Sequence, residues 1–255
     1  MMHIVLISTP IGFIGSGKGG GVELTVNSLV SGLISLGHSV DVIAPRNSKL
    51  YERNEKVNLH LVDGEAQISW QHLNYNSPVS IPDNSLIAGM IERGLDVAKK
   101  ADVLLNMSYD WLPIWMTLNA EIPFAHIISM GSESSVISNL ISKVYAKYPY
   151  NFAFHSKIQA QDYPFIKKPI IIGNGFKIEN YTFQDSLKGP LGWVGRVAPE
   201  KGLEDAVFVA KELGEKLKVW GVKEDETYAL KIEQSFPKGT IDWMGFLSTY
   251  EYKKS

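Results

Sequence analysis

The stretch Gly15-Ser16-Gly17-Lys18-Gly19-Gly20-Gly21-Val22-Glu23 decides the fold. It follows the apolar run Ile4-Val5-Leu6-Ile7, which reads as a buried strand, and precedes Leu24, Leu29, Val30, Leu33, Ile34 and Leu36, spaced as the buried face of a helix. The order is strand, glycine loop, helix. Glycines let a backbone approach a ligand that a Cβ would block, and the first N–H groups of a helix, with its dipole, offer an anion site. A phosphate-bearing ligand is the first expectation; the alternative is a flexible turn that binds nothing.

Two general spacings compete for the loop. Gly12, Gly17 and Lys18 fit the phosphate-loop pattern, but Gly19 stands where a Ser or Thr hydroxyl should hold magnesium. Gly15, Gly17 and Gly20 satisfy G-x-G-x-x-G, with Asp41 near the distance of a ribose-binding acid and Arg46 close by. Asp41 nevertheless sits inside Ser39-Val40-Asp41-Val42-Ile43-Ala44 and not at that strand's end. A dinucleotide oxidoreductase depending on Gly17 and Arg46 is the weaker expectation.

Outward from the loop, the chain has the means of a globular enzyme. Its 255 residues, 45% hydrophobic, can bury a sizeable core in one large or two smaller domains. A net charge of −2 argues against a general nucleic-acid or anionic-membrane surface. The absence of cysteine excludes disulfides, thiolate metal sites and a cysteine nucleophile. Charged or glycine-rich segments interrupt every hydrophobic run, so neither a signal peptide nor an integral membrane segment is expected, and the cytoplasm is the default location.

Strand-like and helix-like segments alternate. Strands are expected at 39–44, 59–62, 103–106, 123–128, 151–154 and 169–172, with helices between them, one starting at Asp83 or Asn84 and one running from about Glu133 to Lys147. Tyr109-Asp110-Trp111-Leu112-Pro113 reads as a loop leading to a short helix. A composition shift over 180–189 reads as a linker, beyond which strands at 191–194, 217–220 and 240–243 restart the pattern. The fold class is α/β, a mainly parallel sheet covered on both faces, with a Rossmann-like N-terminal domain over 1–180 and an incomplete second Rossmann-like domain over 181–255. Residues following each strand are then the ones placed to meet a ligand.

Those residues carry a resemblance. Gly-Gly-Gly-Val-Glu at 19–23, the Asn174-Gly175 turn and Gly195-Arg196-x-x-Pro199-Glu200-Lys201-Gly202 resemble the retaining GT-B glycosyltransferases of family 4. Ser8-Thr9-Pro10, Tyr109 to Pro113, Ile128-Ser129-Met130-Gly131-Ser132 and Leu191 to Arg196 are further similar to the cyanobacterial UDP-glucose:tetrahydrobiopterin glucosyltransferases. The resemblance implies a GT-B-like fold and retaining transfer of glucose from UDP-glucose to a small hydroxylated acceptor such as a pterin. It also implies phosphate binding by Arg196 and Lys201, with Gly19, Gly20 and Gly21 reaching the nucleotide phosphates from the other domain.

Arg196 and Lys201 then stabilise the charge that grows on the pyrophosphate as the glycosidic bond breaks; by themselves Glu200 and Lys201 also read as ordinary charges at a helix start. The resemblance places His126 at the sugar or acceptor side as a catalytic residue, whereas a lone histidine on a strand also reads as a core residue. Asp110 and Trp111 are expected to contact the acceptor, Trp111 being equally suited to the core. Glu23 fits either acceptor binding or simple stabilisation by the helix dipole. No Asp-x-Asp motif or His/carboxylate cluster occurs, so a metal-independent reaction without cofactor is expected. Family members continue into a Glu-containing donor segment that this sequence does not include. That leaves a second class open, a non-catalytic nucleotide-binding protein or one half of a split transferase. An exposed sheet edge would then favour a companion chain or self-association.

Overall fold

The computed structural model describes residues 1–16, 20–176, 178 and 189–247. The chain forms two units, 1–177 and 178–255. The expected boundary after residue 180 lies outside the described residues, as does the expected linker apart from Gly189.

The first unit is a seven-stranded parallel sheet of order β3-β2-β1-β4-β5-β6-β7. Its strands are β1 (His3–Ile7), β2 (Ser39–Pro45), β3 (Val57–Val62), β4 (Val103–Asn106), β5 (Phe124–Ile128), β6 (Phe152–Phe154) and β7 (Ile170–Ile171). Central strands carry unbroken apolar runs because both faces are covered: Val5, Leu6 and Ile7 are each fully buried. On one face, Val5, Ile7, Ile43 and Leu104 pack on Ile87, Met90 and Ile91 of α2 (Leu86–Ala98). On the other, Leu6, Val40 and Val42 pack on Val26 and Val30 of α1 (Gly20–Ser35). A third cluster joins Ile128, Phe152 and Phe154 to Ile137, Ile141 and Val144 of α4 (Ser135–Lys147).

Two helix starts differ from expectation for identifiable reasons. Helix α2 is capped by Ser85, whose hydroxyl accepts the Ala88 N–H, and not by Asp83 or Asn84. Glu65 holds that segment extended, its N–H donating to the Asn84 carbonyl at 2.7 Å and its carbonyl accepting from Leu86 N–H at 2.9 Å. A helix cannot begin until that bridge ends. Helix α3 (Trp111–Met116) starts inside the stretch read as loop, because Asp110 caps it and Pro113 falls in the first turn, where a missing N–H costs nothing. Short α5 (Lys157–Gln161), capped by Ser156, has no counterpart in the sequence reading.

The second unit restarts the alternation. Parallel strands β8 (Leu191–Val194), β9 (Leu217–Trp220) and β10 (Ile241–Gly245) lie in the order β10-β9-β8, with α6 (Leu203–Leu213) and α7 (Glu226–Ser235) between them in sequence. Val197, Leu203, Val207, Leu217, Val219 and Ile232 form its core. The loops leaving β8 and β9 are locked together. Gly195 N–H donates to the Trp220 carbonyl at 3.0 Å, Val197 N–H to the Val222 carbonyl at 2.9 Å, and Asp225 N–H to the Val197 carbonyl at 3.2 Å. A Cβ on Gly221 would stand 1.7 Å from the Gly195 carbonyl oxygen, so only glycine permits this approach. Gly221→Ala is expected to destabilise the second unit by at least about 3 kcal/mol, read as a lowered denaturation midpoint; an unchanged midpoint would show that the two loops can separate freely.

Candidate functional site

Sheet order places the site of the first unit. The order reverses direction at β1, whose neighbours are β2 on one side and β4 on the other. Such a reversal leaves a crevice at the carboxyl ends, here between the segment after β1 and the segment after β4. The glycine stretch follows β1, and Met107 to Asp110 follow β4.

Gly15 anchors the glycine stretch. It has φ +87°, and a Cβ there would lie 2.8 Å from the Lys49 carbonyl oxygen. Lys49 N–H donates to the Ile14 carbonyl at 2.6 Å, and Ile14 N–H donates to the Ser48 hydroxyl at 3.1 Å, pinning the loop to the end of β2. Gly17, Lys18 and Gly19 lie outside the described residues. Gly20 opens α1, and Gly21 faces open space. Glu23 is buried in the first turn, where its carboxylate accepts the Ser16 hydroxyl at 2.9 Å and lies within reach of the dipole's positive end.

The dinucleotide alternative finds no ribose acid at Asp41. That carboxylate is buried within the strand and receives His3 Nε2 at 2.5 Å and His60 Nε2 at 2.6 Å. Burial pushes it up, but the hydrogen bonds from His60 and His3 outweigh burial and hold the carboxyl below its usual range. Arg46 pairs with Asp63.

The structure brings His126 into the core. Its ring is 1% exposed and stacks on Phe152 with centroids 5.0 Å apart. Asn106 Nδ2 donates to Nδ1 at 3.1 Å, Nε2 lies 2.7 Å from the Thr117 hydroxyl, and that hydroxyl donates onward to the Pro113 carbonyl. This chain selects the Nε2–H tautomer, and burial lowers the ring to about 3. A neutral ring with both nitrogens engaged has no lone pair or proton to offer an acceptor hydroxyl.

Asp110, which caps α3, is 3% exposed and accepts the Leu112 N–H at 3.0 Å. Burial pushes its carboxyl up to about 6, against the hydrogen bonds that favour the charge. The Trp70 indole N–H faces the same carboxyl without closing a hydrogen bond, and the nearby Ser108 hydroxyl is likewise buried without a partner. Trp111 stacks on Trp115 at 5.7 Å, giving α3 a partly exposed aromatic pair.

His155, not anticipated from the sequence, follows β6 directly. Its Nδ1 lies 3.0 Å from the Gly173 carbonyl and its Nε2 3.3 Å from the Ser129 hydroxyl, so it is the half-buried imidazole on the rim after β5, β6 and β7. Its only sequence signal is its place at a strand's end. The neighbouring turn is fixed from beneath by Tyr163, whose hydroxyl donates to the Gly131 carbonyl at 2.8 Å.

In the second unit, Arg196 lies between β8 and a single-turn helix at Pro199–Lys201, closed by Gly202 at φ +63°. Its guanidinium donates to Glu200 at 3.1 Å and to Glu224. Lys201 is exposed on the same turn and makes no ion pair with a described residue. Arg196 and Lys201 therefore both lie on the segment that leaves the carboxyl end of β8, while Glu23, Asp110, Trp111 and His126 belong to the first unit. Among the described residues no group of three or more His, Asp or Glu side chains is placed to hold a metal ion, and no helix is long and apolar enough to cross a membrane.

No protein-family model matches the chain, and no curated protein matches it in sequence. Solved structures do resemble it. AviGT4, a glycosyltransferase involved in avilamycin A biosynthesis, superposes with a TM-score of 0.67 at 18% identity, over 99% of this chain and 66% of AviGT4. TarM gives 0.64 at 10% identity, covering 99% and 78% of the two chains. Anabaena HepE, solved with UDP-glucose, gives 0.61 at 12% identity, covering 97% and 70%. The chain has the GT-B-like fold of these glycosyltransferases. It spans just under two thirds of the length of AviGT4.

The two buried titrating groups give opposite pH dependences. Asp110 has a raised carboxyl, so its contribution is full below the unfolded value near 3.8 and is lost as pH rises towards about 6. His126 has a lowered imidazole, so its contribution is full above 6.5 and is lost as pH falls towards about 3. Asn in Asp110→Asn still caps α3 but cannot ionise, so this variant should gain stability relative to the parent, by up to about 3 kcal/mol, between pH 4 and 7. Urea midpoints at the two pH values check this; a constant offset would mean that Asp110 titrates normally.

Proposed function

We propose that this protein is a sugar transferase that takes a nucleoside-diphosphate sugar, glucose on UDP, and passes the sugar to a small hydroxylated acceptor with retention, as in GT-B family 4. One observation carries the reading: Arg196 and Lys201 both lie on the short segment that leaves the carboxyl end of a parallel strand. Arg supplies a planar fork for two phosphate oxygens and Lys a mobile charge for a third. Departure of a nucleoside diphosphate builds negative charge on the bridging oxygen, and cations held close to it lower the barrier to that step without a metal ion. A soluble, cytoplasmic protein suits such substrates.

On the acceptor side, the reading uses the rim after β4. Trp111 and Trp115 offer an aromatic face on which a flat ring such as a pterin would stack. The Asp110 carboxyl would accept a hydrogen bond from a donor on that ring. His126 supports this rim through Asn106 and takes no part in proton transfer.

Calorimetric titration with UDP and UDP-glucose tests the phosphate site. Arg196→Ala and Lys201→Ala should each weaken UDP binding by about 1 to 3 kcal/mol with the thermal midpoint preserved. Unchanged affinity in both would remove the assignment. Turnover of UDP-glucose with biopterin and simple polyols as acceptors separates transfer from nucleotide binding alone.

A further inference from the structure

Arg196, the cation assigned to the phosphates, is already occupied. Its two terminal nitrogens donate to different carboxylates, Glu224 on the loop after β9 and Glu200 four residues along its own turn. Glu224 is the more restrained of the two, its side chain being 34% exposed against 54% for Glu200. The backbone beneath cannot withdraw Glu224 cheaply. Val197 and Lys223 form a parallel bridge, the Val197 N–H donates to Val222, and the Asp225 N–H donates back to Val197. Asp225 then caps α7 by accepting the Tyr228 N–H at 2.9 Å. The loop is held on both sides of Glu224, so relief of the contact has to come from its side chain turning away.

We propose that Glu224 is an internal counter-anion of the phosphate site, which a diphosphate must displace from Arg196 in order to bind. This rests on Arg196 being a phosphate ligand. Glu224 stands where the ligand's charge would stand, keeps the guanidinium oriented when the site is empty, and subtracts the value of its own ion pair from the affinity of any anion that needs Arg196. Lys201 remains uncommitted and makes the first contact. Binding exchanges one ion pair for another, with no bond made or broken.

The test is UDP and inorganic pyrophosphate titrated into four proteins: the parent, Glu224→Gln, Arg196→Ala and the double variant. Glutamine keeps the size of Glu224 and loses its charge. Glu224→Gln should tighten UDP and pyrophosphate by about two- to fivefold, the range of a partly exposed ion pair. The gain should be smaller in the Arg196→Ala background, where only general repulsion is relieved. An equal gain in both backgrounds would mean that Glu224 acts at long range, and weaker binding by Glu224→Gln would mean that it helps to hold the ligand; either result overturns the proposal. If Arg196→Ala leaves UDP affinity unchanged, the phosphate-site reading itself fails, an outcome distinguishable from the other two.

Discussion

Hydrogen bonding of β1 to both β2 and β4 is the constraint on which the first unit depends. Residues Ile4 to Ile7 pair in parallel with Val40 to Ile43 on one side and with Val103 to Asn106 on the other. Parallel neighbours need crossovers, so α1 must cover one face and α2 the other. Two consequences follow together: a strand buried on both sides, hence the unbroken Val-Leu-Ile run, and a reversal of winding that leaves the carboxyl ends of β1 and β4 uncovered by any connection. The same pairing that builds the core opens the crevice.

Burial around that crevice explains the state of its polar groups. Asn106 ends β4 opposite His126 on β5, and their hydrogen bond extends through Thr117 to the start of α3. Every member is satisfied without a charge, which is how a polar set survives burial at modest cost. Asp110 has one firm partner, the Leu112 N–H, and no cation among the described residues pairs with it. It is therefore the group whose protonation state the environment contests.

Much of this was legible in the sequence, for physical reasons that differ by element. Strands β4, β8 and β9 are bounded as read, because each is a short apolar run between polar or glycine residues and local composition suffices. The start of α2 was not, since it is set by Glu65, twenty residues upstream, through a backbone bridge that leaves no mark on residues 83–85. Helix α5 is too short to show a period. The alternative roles of His126 were both visible, but period-2 alternation cannot tell which residues face an aromatic neighbour from another strand. His155 directly follows the strand read at 151–154, but a lone histidine at a strand's end belongs to no motif and carries no signal of its own. The arginine and lysine of the second unit were legible as a motif, whereas the carboxylate that meets Arg196 comes from a loop twenty-eight positions away.

The two units use rigidity differently. In the first, Gly15 sets a single tight contact with Lys49. In the second, Gly221 presses its backbone against Gly195 and three hydrogen bonds tie the loops of β8 and β9 together. A site that must stabilise charge as it develops works best when its cations are fixed beforehand, since any reorganisation at that moment subtracts from the stabilisation. Arg196 and Lys201 lie on the pinned side, with Gly202 ending their turn in a left-handed conformation before α6 begins.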